Sequence, residues 1–307
     1  MRPTQEEAGA LMDHVTESSL ALLSTTTADR LALTEYERSV ARLYDEKQED
    51  FNYLLGRETQ LYHHHFGTGD FDRRALPSLT QREINTLLHG LENAQVGYFI
   101  DALGDVKPDD RILDGGSGRG GTAILVHEAF DCYYHGVTIS PYQCDFSRQL
   151  VQEKGYDKIS FHLRNMLDTG FPPGYFQRAL TNETTMYIPD LDALCREFSR
   201  VLEPGGRYVL ITWCQDDSNP DVRRYTDPID EHYLCGMHSR TEYFRALIDN
   251  GLVPYIVSDL SSQALPYWEL RQFSEHRTGV EQYFIKGYRE NAIKYLLIGA
   301  QLVTSPS

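Results

Sequence analysis

Tryptophan is scarce in this 307-residue chain, with two residues against 20 tyrosines and 13 phenylalanines. Cysteine is scarce too. The five thiols, at 132, 144, 195, 214 and 235, form no C-x-x-C pair and are odd in number. That argues against a disulfide framework or a structural zinc site. Basic residues are short: 29 Lys and Arg stand against 45 Asp and Glu, a net charge of −16. General nucleic-acid binding rests on phosphate neutralisation and is not expected of such a chain. No apolar run reaches the roughly 18 residues of a membrane span, so no membrane partner is expected. The opening MRPTQEEAGALMDH lacks the basic-then-apolar layout of a signal peptide. These deficits leave a reduced, cytoplasmic, globular protein. With 41% hydrophobic and 24% charged residues, the chain has ordinary means to bury a core.

What is present divides along the chain. Residues 1–28 are polar and Ser/Thr-rich and read as a flexible arm. Residues 29–107 read as a helical cap, with helical periodicity over 29–55 and 80–103. Between these runs lies LYHHHFGTGDFD, residues 61–72, too rich in Gly and Asp for a regular element. From residue 108 strands and helices alternate: RILD, CYYHGVTI, ISFHLRN, FQRALTNE and RYVLITWC are five strands. Pro141 is placed to open a helix. Residues 215–237 are polar, contain two prolines and read as an insertion after the fifth strand. A helix ending at Gly251, a strand, helices near 266–290 and an apolar last strand follow. This is an α/β pattern with a mostly parallel sheet.

The strongest local signal is ILDGGSGRGG, residues 112–121. A buried strand ends at Asp114, and Gly115, Gly116 and Gly118 form the turn into a helix. Glycines there admit left-handed backbone and close approach of a ligand. Ligands of such sheets sit at the carboxyl ends of the strands. No G-K-[ST] follows, so this is not a P-loop. The acid stands directly before the glycines, and the second strand ends in Gly136-Val137-Thr138 rather than in a ribose-binding acid. Both features favour S-adenosylmethionine over a nicotinamide dinucleotide. The loop, GVTISPYQ (136–143) and LEPGGRYVLI (202–211), in that order, resemble class I methyltransferases with their Rossmann-like sheet. Ser117 departs from the cysteine often found there. The resemblance implies cofactor contacts from Asp114, Gly115, Gly116 and Gly118, from Thr138 and Gln143 toward adenosine, and from Asn165, Met166 and Asn182.

A closer resemblance rests on LYHHHFGTGDFD, NMLD (165–168), TNETTMY (181–187), HSRTEYFRALIDNGLVP (238–254) and LPYWELR (265–271). Together they are similar to the geranyl diphosphate 2-C-methyltransferases and related prenyl-diphosphate C-methyltransferases, from about residue 40 onward. The resemblance implies methylation of an alkene carbon of a prenyl diphosphate, with Mg²⁺ helping to hold the diphosphate; its ligands stay unassigned. Such chemistry creates a tertiary carbocation. It requires a carboxylate near the cofactor, aromatic faces and exclusion of water.

Glu183 aligns with the family's catalytic glutamate and follows the fourth strand. It is the expected base, with Tyr187, Tyr225 and Tyr233 around the cation. Trp268 is expected on the substrate side. Asn52, Arg57, Tyr62, His63 and His64 are expected to donate to the diphosphate, and at least one of the three adjacent histidines is expected to face solvent. A homo-oligomer is expected. Geranyl diphosphate at carbon 2 is the first choice, then farnesyl or isopentenyl diphosphate. Pro189 and the composition of 215–237 depart from the geranyl pattern and leave chain length and cyclisation open. The competing readings are methylation of a sterol, lipid alkene or amine, and a cofactor-binding protein without turnover.

Overall fold

The computed structural model describes residues 31–303; the arm assigned to 1–28 lies outside them. The chain enters through helix α1 (Glu35–Glu46) and the short α2 (Phe51–Gly56). Thr34 and Glu37 close a capping box at the start of α1, satisfying two backbone donors that a helix leaves free. Residues 61–72 run without a regular element, as their composition predicts, into a single 3₁₀ segment (Arg73–Ser78). The 23-residue α3 (Gln81–Leu103) begins with a second capping box, Thr80 with Glu83.

A seven-stranded sheet follows: β1 (Arg111–Gly115), β2 (Tyr133–Thr138), β3 (Ile159–Leu163), β4 (Phe176–Asn182), β5 (Leu202–Gln215), β6 (Leu252–Asp259) and β7 (Ile293–Leu302). Their order is β3-β2-β1-β4-β5-β7-β6. The first five are parallel, and β7 is antiparallel to both β5 and β6. This is the sheet of class I methyltransferases. Helices α4 (Gly121–Phe130), α5 (Pro141–Lys154), α6 (Leu191–Val201) and α8 (Arg240–Asp249) make the crossovers. Ser140 caps α5 and Pro141 stands at its first turn, where proline's missing N–H costs nothing.

Two elements differ from the sequence reading. Strand β5 begins at Leu202, before Pro204-Gly205-Gly206, because Leu202 already pairs with Phe176; the register then shifts across the Pro-Gly-Gly. Within 215–237 lies a helix, α7 (Arg223–Tyr233), with Pro228 inside it. Its polar composition hides it, since only Tyr225, Thr226 and Ile229 are buried. Helix α10 (Glu281–Arg289) packs against it, and α9 (Ser261–Arg271) packs against α10.

The strand order reverses between β1 and β4. Crevices for ligands open outside the carboxyl ends of the strands at such a switch point. Here those ends are Gly115 and Asn182.

Candidate active site

Two cavities meet at the switch point. The first is lined by the glycine loop (Asp114, Gly116, Gly118), the end of β2 (Thr138), Gln143, Asn165, Met166 and Asn182, and is roofed by Glu37, Val40 and Tyr44 of α1. The second measures about 330 Å³ and is lined by Lys47, Asn52, Phe66, Trp213, Tyr233, Arg271 and Arg277, among others. Tyr44, His64, Glu183 and Tyr187 line both. A group held in one cavity therefore meets a group held in the other at Glu183.

The glycine loop is shaped to leave room. Gly116 has φ +81° and a Cβ there would lie 2.5 Å from Thr184 Cγ2. Gly115 lines neither of these two cavities; a Cβ on it would strike Phe198 at 2.8 Å, so its smallness serves packing behind the loop. Asp114 is buried and accepts from Tyr134 Oη at 2.8 Å through Oδ2, while Oδ1 has no partner. Burial pushes its carboxyl up to about 7. An unpaired, buried acceptor at a cavity wall is costly unless a ligand donor meets it. Thr138 donates to Gln143 Oε1 at 2.9 Å, and Asn165 Nδ2 donates to Glu37 Oε1 at 2.7 Å. These polar groups fit a nucleoside with an amino-acid tail.

The histidine run alternates as an extended segment does. His63 and His65 turn inward and bond to each other, Nδ1 to Nε2, at 3.0 Å. His63 Nε2 also meets Asn93 at 2.8 Å. His64 turns the other way, into both cavities. None of the three faces open solvent, contrary to the sequence expectation: His63 and His65 are buried, and the half-buried His64 has an unpartnered Nε2. Burial, with Arg119 and Lys47 nearby, holds His64 well below its usual value, so its ring is neutral.

Glu183 is buried, with φ +51°, a left-handed conformation that is strained for glutamate and typical of functional positions. Its Oε1 accepts from Phe66 N–H at 3.0 Å and from Tyr295 Oη at 2.5 Å. Its Oε2 has no partner. Burial raises the carboxyl to about 8 despite these donors, and the nearby Glu92 adds to the rise. Tyr187 Oη and Tyr44 Oη bond at 3.0 Å beside it.

Rings form the inner wall of the second cavity. Phe66 lies 5.2 Å from Trp213 and 6.0 Å from Tyr233. Trp268 stands behind them, stacked on Phe284 at 3.8 Å, fully buried and lining neither cavity. Tyr225 also lines neither; its hydroxyl bonds Glu290. Tyr62 and His63 line only the first cavity, and the exposed Arg57 lines none. Of the predicted diphosphate donors, Asn52 and His64 face the second cavity.

Sequence reasoning missed the cations there. Lys47, Arg271 and Arg277 line that cavity with His232 and His276. Arg271 is 5% exposed, and its guanidinium carbon stands 3.7 Å from the Phe51 ring centroid. Its Nε ion-pairs with the buried Glu281 Oε1 at 3.7 Å without a hydrogen bond, and its Nη1 has no hydrogen-bond partner. A buried guanidinium with such a spare donor can take a second anion from the cavity. The available signal was an arginine three residues after Trp268 in LPYWELR. Among the described residues no group of three His, Cys, Asp or Glu could hold a metal ion.

The fold and the cofactor cavity define a class I S-adenosylmethionine-dependent methyltransferase, and a model of a methyltransferase domain matches residues 106–245. The geranyl diphosphate 2-C-methyltransferase of Streptomyces coelicolor is 41% identical over 292 residues, covering 91% of this chain and 99% of that one. The enzyme of the same name from Saccharopolyspora erythraea is 41% identical, covering 89% and 96%. This chain belongs to the geranyl diphosphate 2-C-methyltransferase family. A crystal structure of the S. coelicolor enzyme with Mg²⁺, geranyl-S-thiolodiphosphate and S-adenosyl-L-homocysteine superposes with a TM-score of 0.84 at 41% identity, covering 88% of this chain and 99% of that one.

Proposed function

We propose that this enzyme methylates an alkene carbon of a prenyl diphosphate, with carbon 2 of geranyl diphosphate the first choice. The observation that carries the reading is Glu183, whose free, buried Oε2 sits where the two cavities meet. S-adenosylmethionine, when bound, supplies an electrophilic methyl group. The chain's residues do the rest. Asp114, Thr138, Gln143, Asn165 and Met166 hold the cofactor in the first cavity, beneath α1. Lys47, Arg271 and Arg277, with Asn52 and His64, hold the diphosphate in the second. A chain of net charge −16 thus concentrates cations where a trianion must bind.

The alkene π pair forms the new C–C bond to the methyl carbon as the methyl–sulfur bond breaks with its pair left on sulfur, and a tertiary cation remains at carbon 3. The faces of Tyr187, Tyr233, Phe66 and Trp213 stabilise it, and the closed aromatic wall keeps water from trapping it. Glu183 Oε2 then takes the proton from carbon 2, and that C–H pair restores the double bond. Trp268 supports this wall from behind, 4.3 Å from Phe66. Among the described residues Asp50 and Glu183 are the only carboxylates on the second cavity, so Mg²⁺ fits as an ion carried by the diphosphate and its waters. The Mg²⁺ and substrate analogue held by the S. coelicolor structure support that reading.

Labelled S-adenosylmethionine with five-, ten- and fifteen-carbon prenyl diphosphates, followed by mass spectrometry, tests this. One carbon added to the geranyl compound, with the diphosphate intact, is the expected outcome. Label transferred only to a sterol, a lipid alkene or an amine overturns it.

A further inference from the structure

The two oxygens of Glu183 are held differently, and the difference is built from three distant segments. Oε1 takes two donors, the Phe66 N–H and the Tyr295 hydroxyl; the buried Trp213 indole N–H also acts on the carboxyl but is not within hydrogen-bond geometry of either oxygen. Tyr295 comes from β7, 112 positions away in the chain, and stands opposite Trp213 in the β5–β7 register. Its backbone N–H is fixed by Ser261 Oγ at 2.9 Å. Gln95 of α3, fully buried, donates from Nε2 to Tyr295 Oη at 3.0 Å and to Asn182 Oδ1 at 2.7 Å. Asn182 Nδ2 donates back to Gln95 Oε1 at 3.1 Å.

The direction of this chain follows from counting protons. Two oxygens 2.5 Å apart require a proton between them. In the ionised state that a base must reach, the carboxylate has none to give, so there the tyrosine supplies it. Tyr295 Oη then has acceptor capacity left, which the Gln95 amide fills. The paired amides of Gln95 and Asn182 hold that amide in place.

We propose that Tyr295 is a positioning residue that occupies Oε1 and so reserves Oε2 of Glu183 as the one atom that accepts the substrate proton, with Gln95 setting the direction in which Tyr295 donates. This rests on Glu183 being the base. A cation at carbon 3 can lose a proton from carbon 2, from carbon 4 or from its methyl branch. A carboxylate with one locked and one free oxygen reaches one of these positions. A loosened carboxylate reaches more than one.

The same hydrogen bond favours the ionised carboxyl. Its loss raises the value of Glu183 further. The other titratable groups that face Glu183 are Glu92 on α3, Tyr44 on α1, Tyr233 on α7 and Tyr288 on α10. Burial pushes all three tyrosines up, so they stay neutral. Glu92 is held by Tyr267 and His89, neither of which Tyr295→Phe touches.

The test measures kcat against pH and the product alkenes by gas chromatography–mass spectrometry, with geranyl diphosphate as substrate. Tyr295→Phe is expected to move the acid limb of kcat upward by about one pH unit. A second alkene isomer should appear, and cofactor affinity should stay within about twofold of the parent. Gln95→Met should move both readouts the same way by less. A single isomer with an unmoved acid limb, whatever the fall in kcat, overturns the proposal and leaves Tyr295 a packing residue. Glu183→Gln run alongside separates the two ideas: full turnover in that variant removes the base itself, whereas a dead Glu183→Gln with an unmoved Tyr295→Phe profile removes only the role of Tyr295.

Discussion

The two cavities differ in how they are assembled. The cofactor cavity is centred on residues that follow the ends of parallel strands, within 114–122, 137–143, 164–166 and 182–188, with 37–44 and 62–65 laid over them. The substrate cavity draws on six segments, near 44–52, 64–66, 183–187, 213, 232–233 and 271–278. The first needs backbone shape, which glycine and strand ends encode locally. The second needs charge and aromatic surface, which any part of a chain can supply. Each can therefore be broken separately, except at the wall they share.

Glu183→Gln cuts that wall. Turnover should fall by about 10³-fold or more, with S-adenosylmethionine affinity by calorimetry nearly unchanged. Substantial turnover would mean that the cavities meet at no catalytic group. Arg271→Met attacks the substrate side alone. Loss of a buried guanidinium facing an anion should raise KM for the prenyl diphosphate about a hundredfold and leave cofactor affinity intact. A matching loss of cofactor affinity would show that the cavities are not separable. Asp114→Asn attacks the cofactor side alone. It keeps a hydrogen-bonding side chain toward Tyr134 but removes a charge facing the cavity, and should weaken the cofactor about tenfold without moving the dissociation constant of geranyl diphosphate.

The same contrast explains what the sequence could disclose. Asp114, Gly116, Gly118, Thr138 and Gln143 were legible because motif and geometry coincide there. Glu183 was legible from its place after β4. Lys47, Arg271 and Arg277 were not, because nothing local separates a buried arginine in α9 from a surface one. Trp268 and Tyr225 attracted attention as aromatics, yet Trp268 backs the wall and Tyr225 bonds Glu290. Helix α7 was hidden by its polar face. The Glu183–Tyr295–Gln95 chain joins β4, β7 and α3, and no periodicity links such positions.

Arg119 of the glycine loop is completely buried. It donates to Asp50 Oδ1 at 2.8 Å and to the carbonyls of Lys47 and Gln48, and lies among the rings of Tyr53, Tyr142 and Phe146. A buried charge stripped of one partner is strongly destabilising. The loop that cradles the cofactor and the turn that fronts the substrate therefore constrain each other's evolution: neither can drift alone. Under the proposed function, room for new substrate preferences lies on the opposite wall, where Trp213 and Tyr233 line the second cavity away from the clamp.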